Sequence, residues 1–284
     1  MDIYLSITLN VIFGLLIGSF LNVVIYRLPI MLENEFNTAA KQQLGIEEGE
    51  SQQQSTFNLM TPPSRCGNCG DRVRPWQNIP IISWLLLKGK CHNCQTPISI
   101  RYPLVELLTG ILFGVMTYQY NEISSNIVIG ACLFSAFIIA LTFIDADTQI
   151  LPDWLTLPLV WLGLLFNLIT DFVPLSRSVI GAVAGYMSLW LLYKIFKLVT
   201  GKEGMGYGDF KLLSAIGAWL GVAVLPIVVL VASLVGIIVA LIKQVNKGQP
   251  MAFGPCLAIS GWFVFLFHNK ANEALLWWLQ KSGF

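Results

Sequence analysis

The sequence predicts an all-α polytopic membrane protein of about eight transmembrane helices, with a small zinc-binding cytoplasmic domain between the first and second. Three observations predict it. The 284-residue chain is 55% hydrophobic and only 12% charged, with a mean hydropathy of +0.68, too apolar for an ordinary soluble domain. Its apolar residues gather into runs near the length of a bilayer span. Four of its six cysteines form two CxxC pairs within one polar stretch, which is metal-site spacing.

The first run covers residues 4–26. Asp2 is acidic and the run is about as long as a full span, whereas a cleaved signal peptide has a basic start and a shorter apolar region. Residues 1–30 are therefore expected to be a retained transmembrane helix. Residues 31–102 form a polar interval in two parts. The Gln-rich part, 33–58, reads as a flexible or loosely helical surface segment. The part from 61 to 102 is richer in Pro, Cys, Gly and aromatics and reads as a compact domain. Further spans are expected at 103–120, 127–144, 154–170, 178–198, 210–222, 224–242 and 253–268, all within a membrane domain at 103–284. The run 210–242 is punctuated by Gly217, Gly221 and Pro226, so it is one span or two short or tilted ones.

Charge orients this scheme. With Arg27 inside, 14 of the 17 Lys and Arg residues fall in inside loops or at their helix ends, against Arg177, Lys270 and Lys281 outside. That is the positive-inside asymmetry. The lipid bilayer is thus a predicted partner. The net charge of +1 and the lack of a long basic stretch argue against nucleic acid.

Cys66 and Cys69, then Cys91 and Cys94, make C-x2-C-x21-C-x2-C, slightly wider than the usual zinc-ribbon spacing. Each pair places two thiolates on one side of a tight turn, and two such turns close a tetrahedron around zinc. Arg65, Arg72, Lys88 and Lys90 would offset the negative charge of four thiolates. A closed set of four cysteines leaves no place for water, so the zinc is expected to be structural. His92 sits inside a knuckle and is expected to face solvent. Cys132 and Cys256 lie in apolar runs as small core residues.

Two acids stand where apolar runs meet polar stretches, Asp145 in FIDADTQILPD and Asp209 in GMGYGDFKLL. Charge at a membrane boundary is costly unless solvated, paired or used. Two converging carboxylates can share a proton and activate water, which is aspartic protease chemistry. The bland alternatives are that Asp209 caps its helix and pairs with Lys211, that Asp153 is an N-cap, and that Asp147 is a solvated loop acid. Under the charge scheme, Asp145 and Asp209 both face the cytoplasm.

At these residues the chain resembles the type IV prepilin peptidases, membrane enzymes of the GxGD aspartic protease group. The resemblance runs through GSFLNVVIYRLP, the cysteine tetrad, RPWQNIPIISWL, RYPLVELLTG, FIDADTQILPDWLTLP, KLVTGKEGMGYGDFKLL and FGPCLAISGW. It implies a bifunctional enzyme at the cytoplasmic face of a bacterial inner membrane. Such an enzyme cuts the leader from prepilins and type II secretion pseudopilins. It then methylates the new amino terminus, commonly Phe, using S-adenosylmethionine. The resemblance maps the catalytic aspartates onto Asp145 and Asp209, and the zinc cysteines onto Cys66, Cys69, Cys91 and Cys94. It makes 103–284 the peptidase domain and implicates 31–102 in methyl transfer. Arg101 and Glu106 are candidates to hold an amino group or the methyl donor. They read equally well as an inside anchor and a packed polar residue, and Asn22 and Arg27 share that ambiguity.

Rival classes are a transporter with the acids as ion ligands and a scaffold that docks partners through its zinc domain. The knuckles and the lack of a repeated half disfavour the transporter. The chain has no HExxH, which disfavours a metalloprotease.

Overall fold

The computed structural model describes residues 2–45, 57–202, 204–242 and 252–282. Among these are ten α-helices and one 3-10 turn, and no strand beyond two isolated bridges. The chain divides into two compact units, Met1–Val115 and Met116–Phe284.

The first unit opens with α1, Ile3–Gln43, 41 residues long and thus about 60 Å. The helix passes through Pro29 and continues past the apolar run. Glu33, Glu35, Ala39, Ala40 and Lys41 are good helix formers, so 33–43 is regular helix rather than a loose segment. The chain turns out of it at Gly45, φ 65°. Residues 46–56 of the Gln-rich stretch lie outside the described residues. The first half of α3, Arg101–Tyr120, packs on α1 through small residues. A β-carbon on Gly14 would lie 2.9 Å from the Cα of Gly110, and one on Gly18 would lie 2.6 Å from the Cα of Glu106. Such close backbone approach is how helices associate where water drives nothing.

Between them, residues 57–100 hold a 3-10 turn, Pro75–Asn78, a short helix α2, Ile82–Leu86, and the two cysteine pairs. Trp84 of α2 donates its indole N–H to the carbonyl of Ile98 at 3.2 Å. Its ring covers Gly89, where a β-carbon would stand 2.8 Å from it. Arg27 of α1 is buried, and its guanidinium donates to the carbonyls of Asn58 at 2.9 Å and Pro62 at 2.7 Å. Asn22 donates to the carbonyl of Tyr102 at 3.0 Å. Both side chains thus bond from α1 to backbone carbonyls elsewhere in the unit.

The second unit contains α4 (Ser125–Thr148), α5 (Asp153–Thr170), α6 (Leu175–Thr200), α7 (Tyr207–Leu220), α8 (Leu225–Ile242), α9 (Gly254–Leu266) and α10 (His268–Ser282). The helix α7 is its core. Phe210, Leu212, Leu213, Ala215, Ile216, Ala218 and Trp219 are all wholly buried, and α5, α6 and α9 pack around it. From Leu212 to Leu220 the helix is apolar on almost every side, which places that stretch in the middle of the bundle. Gly181 of α6 and Gly217 of α7 abut so closely that a β-carbon on either would strike the other's backbone. Phe134, Phe166, Trp219 and Phe265 form an aromatic cluster in the same unit, with Phe166 stacked on Trp219 and Phe134 edge-on to Phe265. The run 210–242 is two helices, separated at Gly221, φ 80°.

Among the described residues, helices α1, α4, α5, α6 and α8 are long and apolar enough to cross a membrane, as expected of a multi-pass membrane protein. The helix α3, expected as a span at 103–120, is not among them, because Glu106, Gln119 and its tyrosines dilute its apolar run. The 14 residues of α7 and 13 of α9 span only about 20 Å each, short of a hydrocarbon core. Beyond the expected spans lies α10, whose apolar run ALLWWL covers only six residues between the polar ends HNKANE and QKS, far short of a bilayer span.

Candidate functional site

In the second unit, Asp145 and Asp209 come together. Asp145 sits inside α4, one turn before its end, and is 4% exposed; Asp209 sits in the first turn of α7 and is 8% exposed. They are close enough for their charges to interact. Asp147 lies two residues further along the same helix and is exposed, because two residues turn a helix by about 200°. It is helical, where a loop acid was expected.

The chain around the pair explains its closeness. The helix α4 ends at Gln149, φ 55°, whose N–H returns to the carbonyl of Asp145 at 2.9 Å. The next residues bring Leu151 inward. A β-carbon on Gly208 would lie 2.7 Å from Leu151 Cβ, and one on Gly254 would lie 3.1 Å from Leu151 Cδ1. Leu151 thus separates the start of α7 from the start of α9. Gly254 also presses on the acid itself: its β-carbon would stand 2.5 Å from Asp145 Oδ2. That oxygen is buried with no hydrogen-bond partner. The backbone of Gly254 forms one wall of the site, a role carried in sequence only by the FGPC motif.

Lys211 does not pair with Asp209; its Nζ reaches Asp153 Oδ1 at 2.6 Å. Asp153 is not an N-cap either. Pro152 holds that position, and Asp153 occupies the first turn, where its charge suits the helix dipole and Lys211. The ion pair ties the N-termini of α5 and α7 together. Tyr193, Tyr207 and Phe210 form an aromatic cluster beside Asp209.

At the far end of α7, sequence reasoning missed Asn167. It is buried and donates to the carbonyls of Ala218 at 2.8 Å and Trp219 at 3.0 Å, while accepting from the Val173 amide at 3.0 Å. Ser178 also donates to the Ala218 carbonyl. These bonds satisfy two of the last carbonyls of a helix whose end is buried.

In the first unit, the sulfurs of Cys66, Cys69, Cys91 and Cys94 all lie within 4.8 Å of one another. Cys66 and Cys94 Sγ are 3.7 Å apart. Zinc–sulfur bonds of about 2.3 Å in a tetrahedron place sulfurs about 3.8 Å apart, so the set fits zinc. The two knuckles match in detail. Cys66 N–H bonds to the carbonyl of Asp71 and Cys91 N–H to that of Thr96, each at 2.8 Å. Each pair is followed by a residue in left-handed conformation, Gly70 at φ 71° and Gln95 at φ 59°. The Thr96 hydroxyl, 3.2 Å from Cys94 Sγ, and the Thr96 amide bring that thiol down to about 6. The Asp71 amide favours the Cys69 thiolate, but burial and the neighbouring thiols outweigh it and push Cys69 up to about 11. Four thiolates at this spacing need a cation among them. Cys132 and Cys256 are buried in the second unit, and His92 is exposed, with Trp76 edge-on to its ring, as expected of all three.

Glu106 and Arg101 lie on α3. Glu106 is buried, and its Oε2 accepts the Ile81 amide at 2.7 Å. Arg101 opens the helix and is half-buried.

Comparison with known proteins bears on both units. Residues 12–120 match the Bacterial Peptidase A24 N-terminal domain and residues 132–241 match the Type IV leader peptidase family. A prepilin leader peptidase/N-methyltransferase of Neisseria gonorrhoeae is 55% identical over 274 residues, 96% of this chain and 95% of the relative. Proteins of the same name from Aeromonas salmonicida and Pseudomonas aeruginosa are 49% and 46% identical, over 98% and 97% of this chain and 95% and 94% of their own lengths. No solved structure matches. With a family model on each unit and relatives of this identity along nearly the whole chain, the protein belongs to the type IV leader peptidase family.

Proposed function

We propose that this chain cleaves the leader from type IV prepilins and type II secretion pseudopilins, then methylates the new amino terminus, commonly Phe. It is a prepilin peptidase and an N-methyltransferase. The observation that carries the peptidase reading is the meeting of Asp145 and Asp209, two buried acids from separate helices. One carboxylate acts as general base on a water while its protonated partner polarises the scissile carbonyl. The pair titrates as a unit, since two adjacent carboxylates resist double ionisation. Leu151 and Gly254 wall the pair, and the Asp153–Lys211 bridge holds the helix that brings in Asp209.

The enzyme works in the bacterial inner membrane, with the aspartates at the cytoplasmic face; the surplus of Lys and Arg in the inside loops supports this orientation. The cysteine tetrad holds a structural zinc, and the sulfur spacing supports that assignment.

S-adenosylmethionine is the methyl donor that the relatives' N-methyltransferase name implies, and it supplies an electrophilic methyl group. Arg101, at the start of α3, carries the charge suited to the donor's carboxylate. Glu106 fits the donor's ammonium group less well, because its carboxylate is already occupied by the Ile81 amide.

Mass spectrometry of a prepilin incubated with the purified enzyme, with and without S-adenosylmethionine, tests the reading. Wild type is expected to remove the leader and, with the donor, add one methyl group. Asp145→Asn and Asp209→Asn should do neither while remaining folded and zinc-loaded. Cleavage surviving in either variant would remove that acid from the mechanism.

A further inference from the structure

The most strained backbone in the first unit belongs to Ile81, at φ 60°, ψ −51°. A β-branched residue adopts such angles only when its surroundings hold it there. Ile82 N–H donates back to the Pro80 carbonyl at 2.5 Å, so Ile81 is the centre of a γ-turn of the rare positive-φ kind. This turn delivers the N–H of Ile81 to Glu106 Oε2 at 2.7 Å.

The acceptor is itself fixed. Glu106 is buried on α3, and the Cα above it lies so close to Gly18 of α1 that no β-carbon fits between them. The Ser19 hydroxyl also reaches its carboxylate. On the other side, the turn begins α2, which carries Trp84. The indole of Trp84 bonds to Ile98 and lies against Gly89, two residues before Cys91. A continuous chain of contacts thus runs from the α1–α3 pair, through one carboxylate and one strained amide, to the second cysteine knuckle.

We propose that Glu106 is a positioning residue: by accepting the Ile81 amide it holds the strained turn and so orients the cysteine domain on α1 and α3 for methyl transfer, without touching the donor. The proposal rests on the reading that this domain serves methyl transfer. A carboxylate that bound the donor's ammonium group would need its negative charge. One that accepts a backbone N–H needs only an oxygen, which glutamine retains.

The test uses the full-length enzyme with a prepilin and compares Glu106→Gln, Glu106→Ala, and Glu106→Ala combined with Ile81→Gly. For E106Q, methylation kcat and the KM for S-adenosylmethionine are expected to stay within about twofold of wild type. For E106A, methylation kcat should fall about tenfold or more with KM little changed, and hydrogen exchange at the Ile81 amide should quicken by about tenfold or more. Glycine takes up positive φ without strain, so adding Ile81→Gly should restore most of the lost kcat. A tenfold rise of KM in E106Q, no rescue by Ile81→Gly, or unchanged Ile81 exchange in E106A would each overturn the proposal. If wild type methylates nothing, the functional reading fails by itself, and Ile81 exchange in E106A against E106Q still decides whether Glu106 holds the turn.

Discussion

Asp145 shows how much of the site a single residue's surroundings decide. Its buried Oδ2 has no hydrogen-bond partner and lies against the bare backbone of Gly254. Only glycine leaves that oxygen room. Gly254→Ala should therefore displace the carboxylate and lower cleavage by about 100-fold, the scale expected of a shift near 1 Å in a reacting group. The fold should suffer far less, by about 1–3 kcal/mol; initial rates of leader removal beside a thermal melt would separate the two effects. The acids and cysteines were legible in sequence because each is costly or unusual where it stands. Gly254 and Leu151 were not, because glycine and leucine look ordinary beside any apolar run; Asn167, a polar residue inside the run WLGLLFNLIT, was a signal that went unread. Their roles come from what folds against them. Lys211 was misread for a related reason. Local spacing offered Asp209 two residues away, but a helix turns those two positions apart, and the true partner lies 58 residues distant on α5.

Among the elements, α7 is the one on which the rest depends. Its contact with α6 has glycines on both sides, Gly181 and Gly217, with backbone touching backbone. Gly217→Leu has no neighbouring side chain that could move aside, so we expect loss of folded enzyme from detergent extracts, seen as an aggregated peak in size-exclusion chromatography. A lipid-facing change of similar size, Leu230→Phe on α8, should leave that profile unaltered, since Leu230 is exposed. Helix positions were legible because apolar runs mark them. What composition hid was which helices meet lipid and which meet only protein, and it missed the extension of α1 to Gln43, whose polar residues give no membrane signal. The same limit concealed α10, whose apolar run of six residues is too short to read as a span.

For the whole molecule, two compact units imply two separable stabilities. The first depends on a cysteine domain too small to rely on its core alone. Stripping metal with a chelator should open residues 57–100 to protease while the helices from α4 onward stay protected. Peptide mapping by mass spectrometry would show the cuts confined to that segment, and cuts spread through both units would contradict the assignment of zinc as a local staple.

The shortness of α7 bears on how the enzyme meets membranes of different thickness. A 14-residue helix in contact with lipid would have to thin the bilayer around itself or tilt the chains against it. Because α5, α6 and α9 enclose α7, its length creates no hydrophobic mismatch. The depth at which Asp209 stands is set by side chains and backbone of the same chain, not by the thickness of the surrounding lipid.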